Sequence, residues 1–263
     1  MPKTGEQSQI AKVAGSPPMS TKDAVHQFWV DSTHDVLADR PTGIDISRQQ
    51  DGYWKYLDIW EKEIALNHLT PGVVLDLGCG TGRISKFLRG HGKQVVSSDY
   101  VGECLKLIKL ETGQAPCIQM DSTSLGFKDS SFDCVVACRV LQSLPTQAEK
   151  EAAVQEIFRV LKRGGSLVLT EGNPARQKFV RVPYNFYLPI REWKKLLPRY
   201  GFSILKIYGV PFLTASKVLD KLSMSLLGRT TLPFKIANWL DRRLGLSPLK
   251  YLSLQFDIIA RKR

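Results

Sequence analysis

The sequence lacks the features that mark membrane-spanning and secreted proteins. No stretch of its 263 residues approaches the roughly 18 uncharged apolar residues that a spanning helix needs, and the first 20 residues contain no apolar segment of the signal-peptide kind. Cysteine is sparse, odd in number and without C-x-x-C spacing, at Cys79, Cys104, Cys117, Cys134 and Cys138. These absences predict a cytoplasmic protein with free thiols, no disulfide framework and no metal site of the zinc type.

Acidic residues are scarce in the last third of the chain. Residues 1–173 hold 19 Lys and Arg against 21 Asp and Glu, whereas residues 174–263 hold 18 against 4. The net charges are therefore −2 and +14, so the whole basic excess of +12 lies in one region. Such asymmetry favours an anionic partner there: a phosphorylated substrate, lipid headgroups or nucleic acid.

Hydrophobic periodicity predicts the fold class. Helical patterns begin at Thr21 and cover 53–69, and the second places its aromatic and aliphatic residues on one face. Five short apolar runs follow, at 73–77, 94–98, 116–120, 133–138 and 166–170, and the segments between them mostly have helical patterns. Two later strands are predicted at 202–210 and 252–263. Buried strands that alternate with helices predict a doubly wound α/β sheet covered on both faces.

We expect one domain rather than two. The polar residues 1–20 are predicted to be unstructured and residues 21–263 to form the domain, in which 21–70 are a helical cap. Residues 211–251 carry apolar stripes interleaved with Lys and Arg, so a basic helical insertion is expected before the last strand.

The helix before the fifth strand has the clearest predicted boundaries. Thr146 with Glu149 three residues later predicts a capping box, and Gly164-Gly165 are expected to end the helix after Lys162 and Arg163.

A predicted strand runs directly into a glycine-punctuated turn within residues 73–88. Gly78, Gly80 and Gly82 occupy alternate positions, which lets the backbone turn tightly and approach a ligand. A helical pattern follows, and the first N–H groups of a helix are free to bind a ligand. The turn is a candidate cofactor loop, although a tight turn without a ligand would have the same pattern.

Three acids lie at the ends of three predicted strands. Asp76 belongs to the first, Asp99 ends the second, and Asp121 with Ser122 ends the third. Ligands of open α/β sheets bind at the carboxyl ends of the strands, so these carboxylates are expected around one crevice. Asp99 would there accept the hydroxyls of a ribose.

These segments resemble the class I S-adenosylmethionine-dependent methyltransferases, of the type 11 group that acts on small molecules and lipids. The resemblance rests on D-L-G-C-G-T-G (76–82), V-S-S-D-Y (96–100), M-D-S (120–122) and two later blocks at 131–137 and 159–169. It implies a Rossmann-like, seven-stranded mixed sheet with S-adenosylmethionine as cofactor. The implied cofactor contacts are Asp76, Gly78, Cys79, Gly80, Gly82, Asp99, Tyr100, Asp121 and Ser122.

The resemblance also implies a role for each contact. The glycine turn would wrap the methionine and ribose portions, and Asp76 would help to orient the methionine amino group. Asp99 would hold the ribose diol and Tyr100 would lie against the adenine. Asp121 and Ser122 would contact the adenine edge.

Two other nucleotide sites fit less well. A dinucleotide site needs G-x-G-x-x-G, but Ser85 occupies the third glycine position and Asp76 would repel a phosphate. Asn173-Pro174 resembles part of the N-P-P-Y motif of amino-group DNA and RNA methyltransferases, yet it follows the fifth strand instead of the fourth, so we reject it.

The acceptor side is less well defined by the sequence. A general base is needed only when the nucleophile arrives protonated, and none is assigned. Candidate substrate-facing residues lie after the fourth and fifth strands, at Arg139, Gln142, Glu171 and Tyr184. His26, His34 and Tyr187 are further candidate bases, for which packing or surface roles are the simpler interpretation.

The sequence therefore predicts methyl transfer to an O, N or C nucleophile of a small, amphipathic or anionic molecule, mainly by in-line positioning. Residues 205–251 are expected to form a lid, a dimer face or a peripheral contact with an anionic membrane surface. An RNA methyltransferase and a non-catalytic scaffold that binds the cofactor stay open as alternatives, although few aromatic residues accompany the basic ones, which disfavours nucleic acid. The oligomeric state is not predicted.

Overall fold

The computed structural model describes residues 21–37, 52–113, 115–176, 184–210, 239 and 243–263. The helices of this part are α1 (Thr21–Leu37), α2 (Gly52–Asn67), α3 (Arg83–Gly90), α4 (Gly102–Thr112), α5 (Gln147–Val160) and α6 (Ile190–Arg199). The strands are β1 (Val73–Leu77), β2 (Gln94–Asp99), β3 (Cys117–Gln119), β4 (Phe132–Cys138), β5 (Leu161–Gly172), β6 (Phe202–Val210) and β7 (Gln255–Lys262).

The strands form one mixed sheet in the order β3-β2-β1-β4-β5-β7-β6. Strands β1 to β5 pair in parallel, and β7 pairs antiparallel with β5 and β6. The chain winds outward from β1 through β2 and β3, then returns to β4 on the other side, so the sheet has its switch point between β1 and β4. Ligands bind beyond the strand ends at such a point. The doubly wound, seven-stranded sheet is confirmed.

Hydrophobic side chains cover both faces of this sheet. Leu75 and Leu77 face a core that includes Trp193 of α6 and residues of α5, while Val74 packs with Trp60 of α2 and residues of α3 on the other face. Successive strand residues point to opposite faces, so a sheet buried on both sides needs apolar residues at nearly every position. This explains why the strands appear as continuous apolar runs.

The capping box of α5 is confirmed, but its predicted C-terminus is wrong. The Thr146 side chain accepts the Glu149 N–H, and the Glu149 carboxylate accepts the Thr146 N–H. The helix ends at Val160, and residues 161–165 belong to β5 instead. Leu161 is fully buried opposite Phe132, so tertiary packing ends the helix before the glycines that sequence reasoning chose.

Several predictions fall on residues outside the described ranges. Residues 1–20 and most of the basic insertion at 211–251 are among them, so the predicted domain division stays a prediction. All five cysteines are free thiols. In the described part of the chain, every helix is too short or too polar to cross a membrane.

Candidate cofactor and acceptor site

A cavity of about 270 Å³ opens at the carboxyl ends of β1, β2 and β4. Asp76, Asp99 and Asp121 all line it, which confirms that the three acids share one crevice. Residues of α1 contribute to the wall on the Asp121 side, including Lys22 and His26. The turn after β4 (residues 139–145), the end of β5 and residues that precede α6 also contribute to the wall.

The three glycines of the turn serve two different purposes. All have positive φ, at 63°, 52° and 80° for Gly78, Gly80 and Gly82. A Cβ on Gly78 would lie 2.4 Å from Val140 Cγ2 and one on Gly82 2.8 Å from Ile108 Cγ1, whereas a Cβ on Gly80 would meet nothing within 4 Å. Packing therefore requires the outer two glycines, and Gly80 leaves open space beside the cavity.

Asp99 organises this turn. Its Oδ2 accepts the Gly80 N–H at 2.7 Å and its Oδ1 accepts the Val101 N–H at 2.9 Å. Burial raises the pKa of Asp99, and the N–H groups of Val101, Gly80 and Tyr100 oppose that rise by stabilising the carboxylate. Asp99 also lines the cavity, and a carboxylate oxygen that reaches a cavity can accept a hydrogen bond from a ribose hydroxyl.

Asp76 is held by a chain of hydroxyl groups. Ser85 Oγ donates to Asp76 Oδ2 at 2.6 Å and lies 2.6 Å from Ser97 Oγ, which in turn receives an N–H from Arg89 at 2.7 Å. Because a hydroxyl has one proton, Ser97 must donate to Ser85. Burial raises the pKa of Asp76 to about 6, against the Ser85 hydrogen bond. Ser85 occupies the position of the third glycine in a dinucleotide motif, and here its hydroxyl holds the carboxylate of Asp76 in place.

Helix α1 closes over the third acid. Lys22 Nζ donates to Asp121 Oδ2 at 2.5 Å, and the N–H and hydroxyl of Thr123 donate to Asp121 Oδ1 at 2.9 and 2.8 Å. Burial acts to raise the pKa of Asp121, but these donors outweigh it and the pKa is lowered. Tyr100 lies beneath α1, with the His26 ring edge-on at 4.8 Å.

An ion network that the sequence analysis did not predict lies at the start of the turn after β4, where it includes Arg139. Glu61 of α2 is buried and accepts hydrogen bonds from Arg83, from Arg139 at 3.0 Å and from Gln255 at 3.2 Å. Burial acts to raise the pKa of Glu61, but the two guanidinium groups lower it to about 2. Glu61 lies four residues from Leu57 and three from Ile64, on the buried face of α2. A charged residue on an apolar helix face is the sequence feature that could have predicted this network.

Residues 75–169 match the family model described as a methyltransferase domain. Over 154 residues, the chain is 32% identical to the demethylmenaquinone methyltransferase of Lactiplantibacillus plantarum, in an alignment that covers 54% of this chain and 61% of that protein. The solved structure of a SAM-dependent methyltransferase from Methanosarcina mazei is 24% identical, with a TM-score of 0.55 and coverage of 76% of this chain and 96% of that one. Over residues 75–169, the chain is therefore similar to the class I S-adenosylmethionine-dependent methyltransferases.

The similarity covers part of the relative and extends to a protein named for a different reaction. The match covers less than two thirds of the length of the Lactiplantibacillus relative. The solved structure of the [4+2]-cyclase SpnF is 20% identical, with a TM-score of 0.63 and coverage of 92% of this chain and 96% of that one. A protein with a similar fold is thus named for a different reaction. The fold alone does not define the reaction.

The cavity fits the cofactor of this methyltransferase family. S-adenosylmethionine has a ribose diol, an amino group and an adenine, and no phosphate. Asp99 presents a carboxylate to the cavity, and Gly80 leaves room for close approach. Of the nine predicted contacts, eight line the cavity, and Gly82 does not. Gly82 instead allows the turn to pack on Ile108.

Of the four predicted substrate-facing residues, two line the cavity and two do not. Arg139 and Gln142 line the cavity. Glu171 is fully buried and absent from the lining, and Tyr184 is 39% exposed beside Phe28 at 5.3 Å between ring centroids, also off the wall. His26 lines the cavity, whereas His34 is exposed and does not.

Of the two tyrosines predicted before α6, Tyr184 and Tyr187, it is Tyr187 that reaches the cavity. Its hydroxyl accepts a hydrogen bond from Asn185 Nδ2 at 3.1 Å, and its ring occupies the place where a Gly172 side chain would be, 2.1 Å from that Cβ position. Burial raises the pKa of Tyr187, so at neutral pH its hydroxyl keeps a proton to donate. Sequence reasoning did not single out Asn185 or Gln255, which have no local motif. The described residues contain no cluster suited to binding a metal ion.

Proposed function

We propose that this chain transfers the methyl group of S-adenosylmethionine to an oxygen, nitrogen or carbon nucleophile of a small, amphipathic molecule. The observation that carries the proposal is a single cavity lined by two chemically different sets of residues. We assign Asp76, Asp99 and Asp121 to a cofactor half of the cavity, and Arg139 and Gln142 to an acceptor half. One cavity would then hold the cofactor and the acceptor next to each other.

The cofactor half would orient its ligand through charge and hydrogen bonds. Asp99 would accept the ribose hydroxyls, Asp76 would attract the methionine ammonium, and Asp121 would accept an adenine N–H. When bound, S-adenosylmethionine supplies a methyl group already activated by its sulfonium. The remaining task of the protein is alignment, which can contribute ~7–11 kcal/mol to lowering a barrier.

The acceptor half suits a molecule with a polar head and an apolar body. Arg139 presents a guanidinium and Tyr187 a hydroxyl proton, and both favour an acceptor oxygen that carries negative charge. Leu144 and Leu254 add apolar side chains to the lining. The Lactiplantibacillus relative is named for demethylmenaquinone, which supports a small-molecule acceptor for this chain as well.

The test is transfer of a labelled methyl group into fractionated metabolite, lipid and RNA extracts, with Asp99→Ala as the inactive control. Label in a small-molecule or lipid fraction, lost in the control, supports the proposal. Label confined to RNA would replace it with the RNA methyltransferase alternative. Cofactor binding without label in any fraction would favour a non-catalytic scaffold.

We also propose that the basic region at 205–251 contacts an anionic membrane surface, where an amphipathic acceptor would concentrate. Within it, Trp239 is 58% exposed and the Arg243 guanidinium lies 5.7 Å from the centre of its ring. An exposed aromatic ring beside basic side chains suits a lipid interface. Replacing Arg242 and Arg243 by Ala should weaken sedimentation with anionic vesicles and leave zwitterionic vesicles unaffected; equal binding to anionic vesicles would contradict the contact.

A further inference from the structure

Lys150 interrupts an apolar face of α5. The helix buries Ala153, Val154 and Ile157 at helical spacing from position 150, and Lys150 itself is only 3% exposed. A buried ammonium is unfavourable unless hydrogen bonds and an opposite charge compensate it. Lys150 does not line the cavity, so direct contact with a ligand there does not explain its burial.

The Lys150 ammonium binds the backbone of the acceptor wall. Its Nζ donates to the carbonyl oxygen of Leu141 at 2.6 Å and to that of Leu144. Both carbonyls belong to the turn after β4, residues 139–145, which contributes Arg139 and Gln142 to the cavity. The Lys150 ammonium of α5 thus holds two carbonyl groups that lie three residues apart in this turn.

Glu171 of β5 is a second ionisable group beside this turn. It is fully buried, and the backbone N–H groups of Gln142 and Leu141 favour its carboxylate form. Burial raises the pKa of Glu171 and lowers that of Lys150, and the attraction between the two groups opposes both shifts. The adjacent Gly172 N–H donates to Gln142 Oε1 at 2.9 Å, so α5 and β5 hold the same turn.

The turn needs this support because Arg139 has an unfavourable backbone conformation. Its φ is 60°, in the left-handed region that non-glycine residues rarely adopt. Such conformations persist where the surrounding structure holds them, and they occur preferentially at functional sites. The Arg139 N–H donates to the Thr170 carbonyl at 2.8 Å, one residue before Glu171.

We propose that Lys150 and Glu171 are a buried positioning pair that fixes the turn 139–145 and thereby places Arg139 and Gln142 against the acceptor. The identity of this turn as the acceptor wall rests on the proposed function. The pair itself touches neither cofactor nor acceptor. Its removal should therefore affect the acceptor more than the cofactor, because Asp99 and its neighbours hold the cofactor loop, which meets the turn where Gly78 lies against Val140.

The test compares Lys150→Met, the double variant Lys150→Met/Glu171→Leu and the control Gln155→Met, which is exposed on the same helix. Three quantities are measured: the Kd for S-adenosylmethionine, the acceptor KM and kcat, and hydrogen exchange at Ser143 and Leu144. The N–H groups of these residues bond to Val140 and Leu141 carbonyls at 2.9 and 3.1 Å. The double variant removes both charges, so it remains testable if the single variant fails to fold.

We expect the folded Lys150 variants to exchange Ser143 and Leu144 at least tenfold faster and to raise the acceptor KM at least tenfold, with the Kd for S-adenosylmethionine within threefold of the parent. The double variant should regain thermal stability without regaining KM. Unchanged exchange and KM in a folded variant would overturn the proposal, as would a double variant that recovers stability and KM together. If the parent transfers no methyl group, the proposed function fails, and hydrogen exchange alone then decides whether the pair holds the turn.

Discussion

Replacing Asp99 tests the cofactor half most directly. In Asp99→Ala, the carboxylate that lines the cavity and would accept a ribose hydroxyl is lost. A hydrogen bond to a charged group contributes about 1.5–3 kcal/mol. Since 1.4 kcal/mol is tenfold in Kd, affinity should fall by roughly 10–10²-fold for each hydroxyl that loses its acceptor.

The fold should tolerate this change better than the ligand does. The Gly80 and Val101 N–H groups lose an acceptor, but both residues line the cavity, where water can replace it. Removal of Asp99 also eliminates a carboxylate whose pKa is raised by burial, and that burial is itself unfavourable. We therefore expect the free energy of unfolding to change by no more than about 1–2 kcal/mol.

Calorimetry with S-adenosylmethionine on the parent, Asp99→Ala, Asp99→Asn and Asp129→Ala measures these differences. Asp129 is the matched control, because its side chain is 77% exposed and pairs with Arg159 away from the cavity lining. Asp99→Asn should be intermediate, since one carboxylate oxygen becomes a donor that opposes an N–H. Affinity of folded Asp99→Ala within threefold of the parent would refute the reasoning, and so would an equal loss in the control.

Three further predictions concern other parts of the site. Glu61→Gln should lower the free energy of unfolding at pH 7 by about 3–5 kcal/mol, because two guanidinium groups lose their buried partner. The pKa of Glu61 is lowered to about 2 from its ordinary 4.5, so the difference in free energy of unfolding between variant and parent, measured with urea, should decrease as the pH falls below 4.5. Gly172→Ala would place a Cβ 2.1 Å from the Tyr187 ring, so acceptor KM should rise severalfold while calorimetry shows unchanged cofactor affinity; an unaltered KM would place the acceptor elsewhere. Burial raises the pKa of Asp76 to about 6, so its carboxylate is charged above that pH and protonates below it. The association constant for S-adenosylmethionine should therefore fall roughly tenfold between pH 7 and pH 5, and a flat profile would exclude Asp76 from ammonium binding.

The sequence could predict those parts of the molecule that depend on neighbouring residues. The capping box at Thr146 requires residues three apart, and the glycine turn and the acids at strand ends follow directly from single strands. The general rule for parallel sheets then placed Asp76, Asp99 and Asp121 in one crevice without knowledge of any distance. These predictions succeeded because local geometry determines them.

Tertiary structure decided what depends on residues far apart in the chain. Glu61 meets Arg139 across 78 positions and Gln255 across 194, and neither contact has a local pattern. The end of α5 moved because Leu161 is buried in the sheet, and Tyr187 rather than Tyr184 reached the cavity because Gly172 leaves room for its ring. Local sequence fixes which backbone conformations are favourable, but the choice among them depends on apolar surface and buried charges that only the assembled chain brings together.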